Sequence, residues 1–239
     1  MLELDKIYNM DCIEGMKQLD DNSIDLVVTS PPYNLGNNHH TGNIRHKAYD
    51  DNLTERVYQD SQINMLKECF RILKPDGCVW YNHKNRIRDG LQITPYEWLL
   101  KTDFIIKQEI VWINRSQNYD KIRFYPWTER LYWLAKTPDV VMYNKINHPD
   151  VFDYNEWNPV GTSGKHTRAF PLKMVEDILN CFENAKLILD PYMGSGTTAV
   201  ACKRLNRRFI GFEINKEYYD VSLQRLLNVP ERLDNWIDV

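Results

Sequence analysis

The sequence predicts an α/β fold built on a mainly parallel, twisted sheet. Short apolar runs such as IDLVVT (24–29), LILD (187–190) and RFIGFE (208–213) read as strands buried on both faces. Segments with apolar residues at helical spacing lie between them, and this alternation is the signature of the class. No internal repeat or low-complexity tract points to another architecture.

Taken in order, residues 24–29 form a buried strand that Ser30-Pro31-Pro32 ends in a loop. From Glu55 to Lys74, Ile63, Leu66, Phe70 and Leu73 recur at helical spacing, and Pro75-Asp76-Gly77 stops the helix. CVWY (78–81) is the next strand. Thr94-Pro95-Tyr96-Glu97 has the form of a capping box with proline at the first helical position, opening a helix to about Lys101. Residues 104–113 and 131–135 are strand-like; between them, and again over 138–168, the chain is polar and irregular. Pro171 to Phe182 is an amphipathic helix with Leu172, Val175, Ile178 and Phe182 on one side. The strand 187–190 leads into a glycine turn, PYMGSGTT (191–198), then a helix from Ala199 to Leu205 and the strand 208–213. Asn215 caps a closing helix through about Leu227.

At 239 residues the chain suits one well-cored domain. There is no apolar run of membrane-spanning length. The acids early in MLELDKIYNMD argue against a secretory signal. Cys12, Cys69, Cys78, Cys181 and Cys202 are scattered and never form a C-x-x-C pair, so reduced thiols and a cytoplasmic location are expected. His39-His40 has no third ligand at sensible spacing, so no metal site is expected. A formal charge of −3 means that any contact with a polyanion must come from local basic patches.

The strand, Gly-x-Gly turn, helix and strand of 187–213 form a Rossmann-type half. Gly194 and Gly196 allow a sharp turn and close approach of a ligand, while amides at the helix start offer donors. Glu213 ends the second strand, where it can accept hydrogen bonds from ribose hydroxyls. Thr197-Thr198 stand where a P-loop would need a lysine, which disfavours ATP or GTP. Asp190 would repel a pyrophosphate and attract an ammonium or a sulfonium. S-adenosylmethionine fits this charge pattern.

Thr29-Ser30-Pro31-Pro32-Tyr33-Asn34 supplies the other half of a site. Two prolines fix the backbone and remove two N–H donors, leaving carbonyl oxygens to face a cleft. Tyr33 adds an aromatic face. Rigid acceptors beside a stacking ring suit an extruded base with an exocyclic NH₂.

TSPPYN together with DPYMGSGTT resembles the DNA amino-methyltransferases that modify N4 of cytosine or N6 of adenine. LKPDGCVWYN (73–82), IVWINRS (110–116), TERLYWLAKT (128–137), HTRAFPLKMVEDIL (166–179) and RFIGFEINKEYY (208–219) extend the resemblance over most of the chain. The S-P-P-Y loop precedes the glycine loop, as in the circularly permuted β group. The resemblance implies a Rossmann-like S-adenosylmethionine-dependent methyltransferase fold in permuted order, with IYNMDC (7–12) as the third sheet strand. It also implies direct methyl transfer to nitrogen. Ser30, Pro31, Pro32 and Tyr33 would be catalytic: Ser30 and the Pro31 carbonyl accept from the amino group, and Tyr33 stacks on the base through its ring rather than its hydroxyl. Asp11, Phe170, Asp190, Pro191, Tyr192, Gly194, Ser195, Gly196, Thr197, Thr198 and Glu213 would bind the cofactor. Serine in the first catalytic position leans towards cytosine N4 over adenine N6.

Double-stranded DNA is the expected partner, and a homodimer is one option for assembly. Asn34, Arg45, Lys47, Arg115, Lys121 and Arg123 are its candidate contacts, because they lie in polar loops around the base loop. Asn82, His83, Lys84 and Asn85 follow a strand end and are candidates to line the cleft. A single domain over 1–239 is expected, with about 115–168 as the candidate DNA-recognition segment. The competing readings are methylation of RNA or of a protein amide, and a non-catalytic DNA-binding relative.

Overall fold

The computed structural model describes residues 2–36, 51–115, 121–144, 149–154, 169 and 171–230. In chain order these form β1 (Lys6–Tyr8), α1 (Cys12–Met16), β2 (Ile24–Thr29), α2 (Glu55–Ile72), β3 (Leu73–His83), β4 (Arg86–Arg88) and β5 (Leu91–Ile93). There follow α3 (Tyr96–Leu99), β6 (Ile105–Ile113), β7 (Thr128–Ala135), β8 (Val151–Phe152) and α4 (Leu172–Cys181). β9 (Leu187–Asp190), α5 (Thr197–Arg204), β10 (Arg208–Phe212) and α6 (Lys216–Leu227) close the described chain.

Eight strands make one sheet in the order β1-β10-β9-β2-β3-β7-β6-β8. The pairs β1–β10, β10–β9, β9–β2 and β2–β3 are all parallel, and β7 runs antiparallel between β3 and β6. Counted from β9, the strand of Ile7 is third, as the permuted order implies.

Both sheet faces are covered. Successive strand residues point to opposite sides, so Trp80 packs in one apolar cluster and Tyr81 in the other. The first cluster gathers Met174, Val175 and Ile178 of α4 with Ala199 and Ala201 of α5. The second gathers Met16 of α1, Met65, Leu66 and Cys69 of α2, and Trp98 of α3. In α2 the buried positions Tyr58, Gln62, Met65, Leu66, Cys69 and Ile72 repeat at three or four residues, which lays one stripe on the sheet. The helix ends two residues earlier than expected, because Leu73 is already extended at ψ 140° and begins β3. Asn215 caps α6 as expected, its side chain accepting from Glu217 N–H at 2.9 Å and Tyr218 N–H at 3.2 Å.

The chain leaves β9 towards β10 on one side and leaves β2 towards β3 on the other. Adjacent strands whose connections diverge open a crevice at their carboxyl ends, where ligands bind in sheets of this kind. The loop after β9 is the glycine turn, and the loop after β2 is the S-P-P-Y segment. The fold therefore sets the two halves of the site side by side.

Candidate active site

Asp190 ends β9, is 3% exposed, and organises both loops. Its Oδ2 accepts from the Thr198 hydroxyl at 2.7 Å, and its Oδ1 from the Thr29 hydroxyl at 2.9 Å and the Tyr192 N–H at 3.1 Å. The carboxylate that sequence reasoning aimed at the cofactor is thus largely spent as a latch between the loop after β2 and the loop after β9. Burial pushes its pKa up to about 6, and the three donors pull against that rise.

Glu213, just beyond β10, is 7% exposed. Its two oxygens accept from the N–H groups of Gly194 and Asn215, both at 2.7 Å. A carboxylate has capacity for about four hydrogen bonds, so acceptor positions remain. Burial pushes its pKa up to about 7, against the pull of those amides. Among the described residues neither Asp190 nor Glu213 forms an ion pair. Two buried carboxylates without a cation fit a ligand that carries positive charge and ribose hydroxyls.

Gly194 and Gly196 have φ of +54° and +84°, a region side chains rarely occupy. A Cβ at Gly196 would also lie 2.9 Å from that of Ser222 on α6. Arg225 of α6 donates to the Ser195 carbonyl, the Ser195 hydroxyl and the Thr197 hydroxyl at 2.7, 2.9 and 3.0 Å. The side chains of Ser195 and Thr197, expected at the cofactor, therefore anchor the loop to α6. Asp11 caps α1, accepting from the N–H of Ile13 at 2.9 Å and of Glu14 at 3.2 Å. It follows β1, whose Tyr8 carbonyl accepts from the Glu213 N–H at 3.0 Å, so the two acids stand at the ends of neighbouring strands.

The loop after β2 is clamped by side chains from distant elements. The Tyr33 hydroxyl lies 2.9 Å from that of Ser30 and 2.8 Å from Oε2 of Glu129, and it also meets Oδ1 of Asn82. The Ser30 hydroxyl reaches the same Asn82 oxygen at 3.0 Å. Asn82 Nδ2 donates to the Arg130 carbonyl at 3.0 Å, which turns the amide oxygen towards the two hydroxyls. The Tyr58 hydroxyl donates to the Pro32 carbonyl at 2.7 Å and meets His83 Nε2 at the same distance. His83 Nδ1 meets the Lys84 carbonyl at 2.8 Å and the Lys84 N–H at 2.9 Å, which holds the ring in place beside Tyr58. Burial depresses the His83 pKa to about 3 and keeps the ring neutral.

Two expectations change here. Tyr33 is a buried ring whose hydroxyl is a network member, not a bystander. The Pro32 carbonyl is taken by Tyr58 and does not face the cleft free. Asn82 and His83 were within reach of sequence reasoning as residues at a strand end; Tyr58 and Glu129 carried no local signal.

The candidate DNA contacts divide. Asn34 is 5% exposed, and its amide bonds both the carbonyl (3.0 Å) and the N–H (2.7 Å) of Leu53, so it is a loop clamp rather than a surface contact. Arg115 pairs with Asp153 at 2.5 Å and lies over the Trp127 ring, so its charge is partly committed. Lys121 and Arg123 are exposed, with Arg123 donating to the Gly90 carbonyl at 2.9 Å. Arg45, Lys47 and Phe170 lie outside the described residues.

Comparison with known proteins decides the family. A model of the N6/N4 DNA methylase family matches residues 24–224. The chain belongs to this family. The DNA methylase is 28% identical over 268 aligned positions to the type II methyltransferase M.BglII of Bacillus subtilis, covering 98% of this chain and 72% of that one. It is 30% identical to M.HpaI of Haemophilus parainfluenzae, covering 90% and 71%. Among solved structures it resembles the PvuII DNA methyltransferase (cytosine-N4-specific) with a TM-score of 0.77 and 25% identity, over 95% of this chain and 88% of that one. The methylase is an S-adenosylmethionine-dependent enzyme that methylates an amino group of a DNA base. Among its described residues no helix is long and apolar enough to cross a membrane.

Proposed function

We propose that the methylase acts on N4 of cytosine, held out of the duplex against the S-P-P-Y loop. The observation that carries this reading is the bond from the Thr29 hydroxyl to Asp190 at 2.9 Å. It joins the residue before Ser30 to the residue before the glycine turn, which sets the amino-group acceptor beside the methyl donor's loop. Serine as the acceptor, and the specificity named for the PvuII enzyme, support cytosine.

In this reading Glu213 and the backbone of 191–196 hold the cofactor's ribose and amino-acid portions, with Asp11 and Phe170 at its adenine and methionine ends. When bound, S-adenosylmethionine supplies an electrophilic methyl group on a sulfonium. The protein's work is placement. Ser30 Oγ and the Pro31 carbonyl accept from the amino group, drawing density onto a nitrogen whose lone pair is otherwise delocalised. Tyr33 fixes the loop and offers ring surface to the base. Lys121 and Arg123 contact phosphates, and two copies of the chain form a homodimer.

The test is nucleoside mass spectrometry of duplex DNA incubated with enzyme and cofactor. N4-methylcytosine is expected. N6-methyladenine in its place would reassign the base while keeping the chemistry, and methylation of RNA alone would remove the reading.

A further inference from the structure

This inference rests on the amino-methylation reading and adds a residue to it. Glu129 sits at the start of β7, which meets the end of β3 at the catalytic edge of the sheet. Its side chain is buried, with the residue 7% exposed. A buried carboxylate is costly to keep without partners, and one partner of this one is the Tyr33 hydroxyl, at 2.8 Å. The Ser30 hydroxyl lies 2.9 Å further on. Three oxygens thus run in file from the amino-group acceptor to an ionisable carboxylate. Asn82 touches the same two hydroxyls, but its amide is too weak a base to hold a proton.

The amino nitrogen starts with two hydrogens, gains a methyl group, and ends with one hydrogen, so one proton must leave the pocket. We propose that Glu129 is the terminal acceptor of that proton, reached through the hydroxyls of Ser30 and Tyr33. The N–H bond breaks and its electron pair stays on nitrogen. Ser30 Oγ takes the proton and passes its own to the Tyr33 oxygen, which passes its own to Glu129 Oε2. Three bonds to hydrogen break and three form, and the cationic product and the carboxylate both end neutral. Glu129 acts through its neighbours and is a positioning residue in that sense. Until the proton moves, it orients Tyr33 O–H away from Ser30, so that the tyrosine oxygen can accept from Ser30.

The groups around the carboxylate allow this. Tyr33 faces it from the loop after β2. Beside the Tyr33 ring, at the end of β3, His83 is held neutral by burial, and the Lys84 ammonium lies 5.9 Å from the centre of that ring. Arg130 follows Glu129 on the strand, points to the opposite face and pairs there with Glu109 of β6 at 2.8 Å.

The test is single-turnover methylation of duplex DNA by wild type, Glu129→Gln, Tyr33→Phe and the double variant. Base extrusion is read in parallel from 2-aminopurine placed beside the target. Each single variant should slow methyl transfer roughly 100-fold, the size of a lost proton-transfer contribution. The double variant should be no slower than either, because both cut one file. The pH profile of the wild-type rate should carry an acid limb that Glu129→Gln lacks. Extrusion should persist in every variant. Additive losses in the double variant, an unchanged pH profile in Glu129→Gln, or loss of extrusion together with rate would each overturn the proposal. If Glu129→Gln does not fold, Tyr33→Phe still decides: a wild-type rate of methyl transfer in that variant would overturn the proposal. A wild type that puts no methyl on DNA would instead sink the underlying reading.

Discussion

The cofactor end and the base end of this site are built by different means. Around the glycine turn, most bonds are local. Asp190 holds Tyr192 and Thr198, and Glu213 holds Gly194 and Asn215, all within the strand–turn–helix–strand unit and the cap that follows it. Around the S-P-P-Y loop, most clamps come from distant elements: Tyr33 to Glu129, Ser30 to Asn82, Tyr58 to Pro32. The Thr29–Asp190 bond is a direct link between the two ends. A site divided in this way should lose fold and cofactor together at one end, and chemistry alone at the other.

The largest effect should come from the latch. Asp190→Ala leaves two hydroxyls and an amide without their acceptor in a buried setting, which costs on the order of 3 kcal/mol. A clearly lowered melting temperature and strongly weakened cofactor binding are expected. A variant that melts like wild type and binds cofactor normally would break the comparison at its strongest point.

Next in size is a pH effect at the same end. Burial raises Asp190 to about 6 and Glu213 to about 7 in the folded protein, above the ordinary carboxylate values of the unfolded chain. The folded state therefore binds more protons over that interval, so stability falls as pH rises through it. A cationic cofactor favours the ionised forms, so its binding should release protons near pH 6 to 7 and raise the melting temperature more at pH 8 than at pH 5.5. Calorimetry in buffers of different ionisation enthalpy checks this; zero proton release would place the cofactor's charge elsewhere.

At the base end, Tyr33→Trp tests ring against hydroxyl. It keeps an aromatic face but not the oxygen bonded to Glu129. Sequence reasoning alone leaves this variant active, whereas the network predicts that methyl transfer falls by at least tenfold, about 1.4 kcal/mol. Turnover near wild type would return the role to the ring.

The smallest effects belong to the exposed cations. Replacing Lys121 and Arg123 by Ala should each reduce the salt dependence of DNA binding by about one unit of slope. Arg115→Ala should change it less, because Asp153 already neutralises that guanidinium. Equal changes at all three positions would show that the Arg115 pair opens on DNA.

The same division explains what could be read from the sequence. β2, β9 and β10 appear as apolar runs, and α6 is announced by its Asn215 cap, because periodicity and capping are local properties. Gly194, Gly196 and Glu213 were legible because one supersecondary unit holds all three. The β4–β5 hairpin had a signal, Asp89-Gly90 with φ of +50° and +80°. Its flanking residues, Ile87 and Leu91 among them, are exposed and made no apolar alternation. β8 is two residues long and shows only once β6 is in place. Glu129 has no local mark at all. Its partner is 96 residues away, and only the antiparallel placing of β7 beside β3 brings the two together.

The cofactor affinity of Tyr33→Ala tests this division most directly. The substitution removes the central member of the base-end network, whose bonds to Ser30, Asn82 and Glu129 all lie outside the glycine turn. Titration calorimetry should give S-adenosylmethionine binding within about twofold of wild type, a difference under ~0.5 kcal/mol, in a variant that methylates DNA very poorly. A loss of cofactor affinity as large as that of Asp190→Ala would contradict the account, because the two ends would then be a single unit.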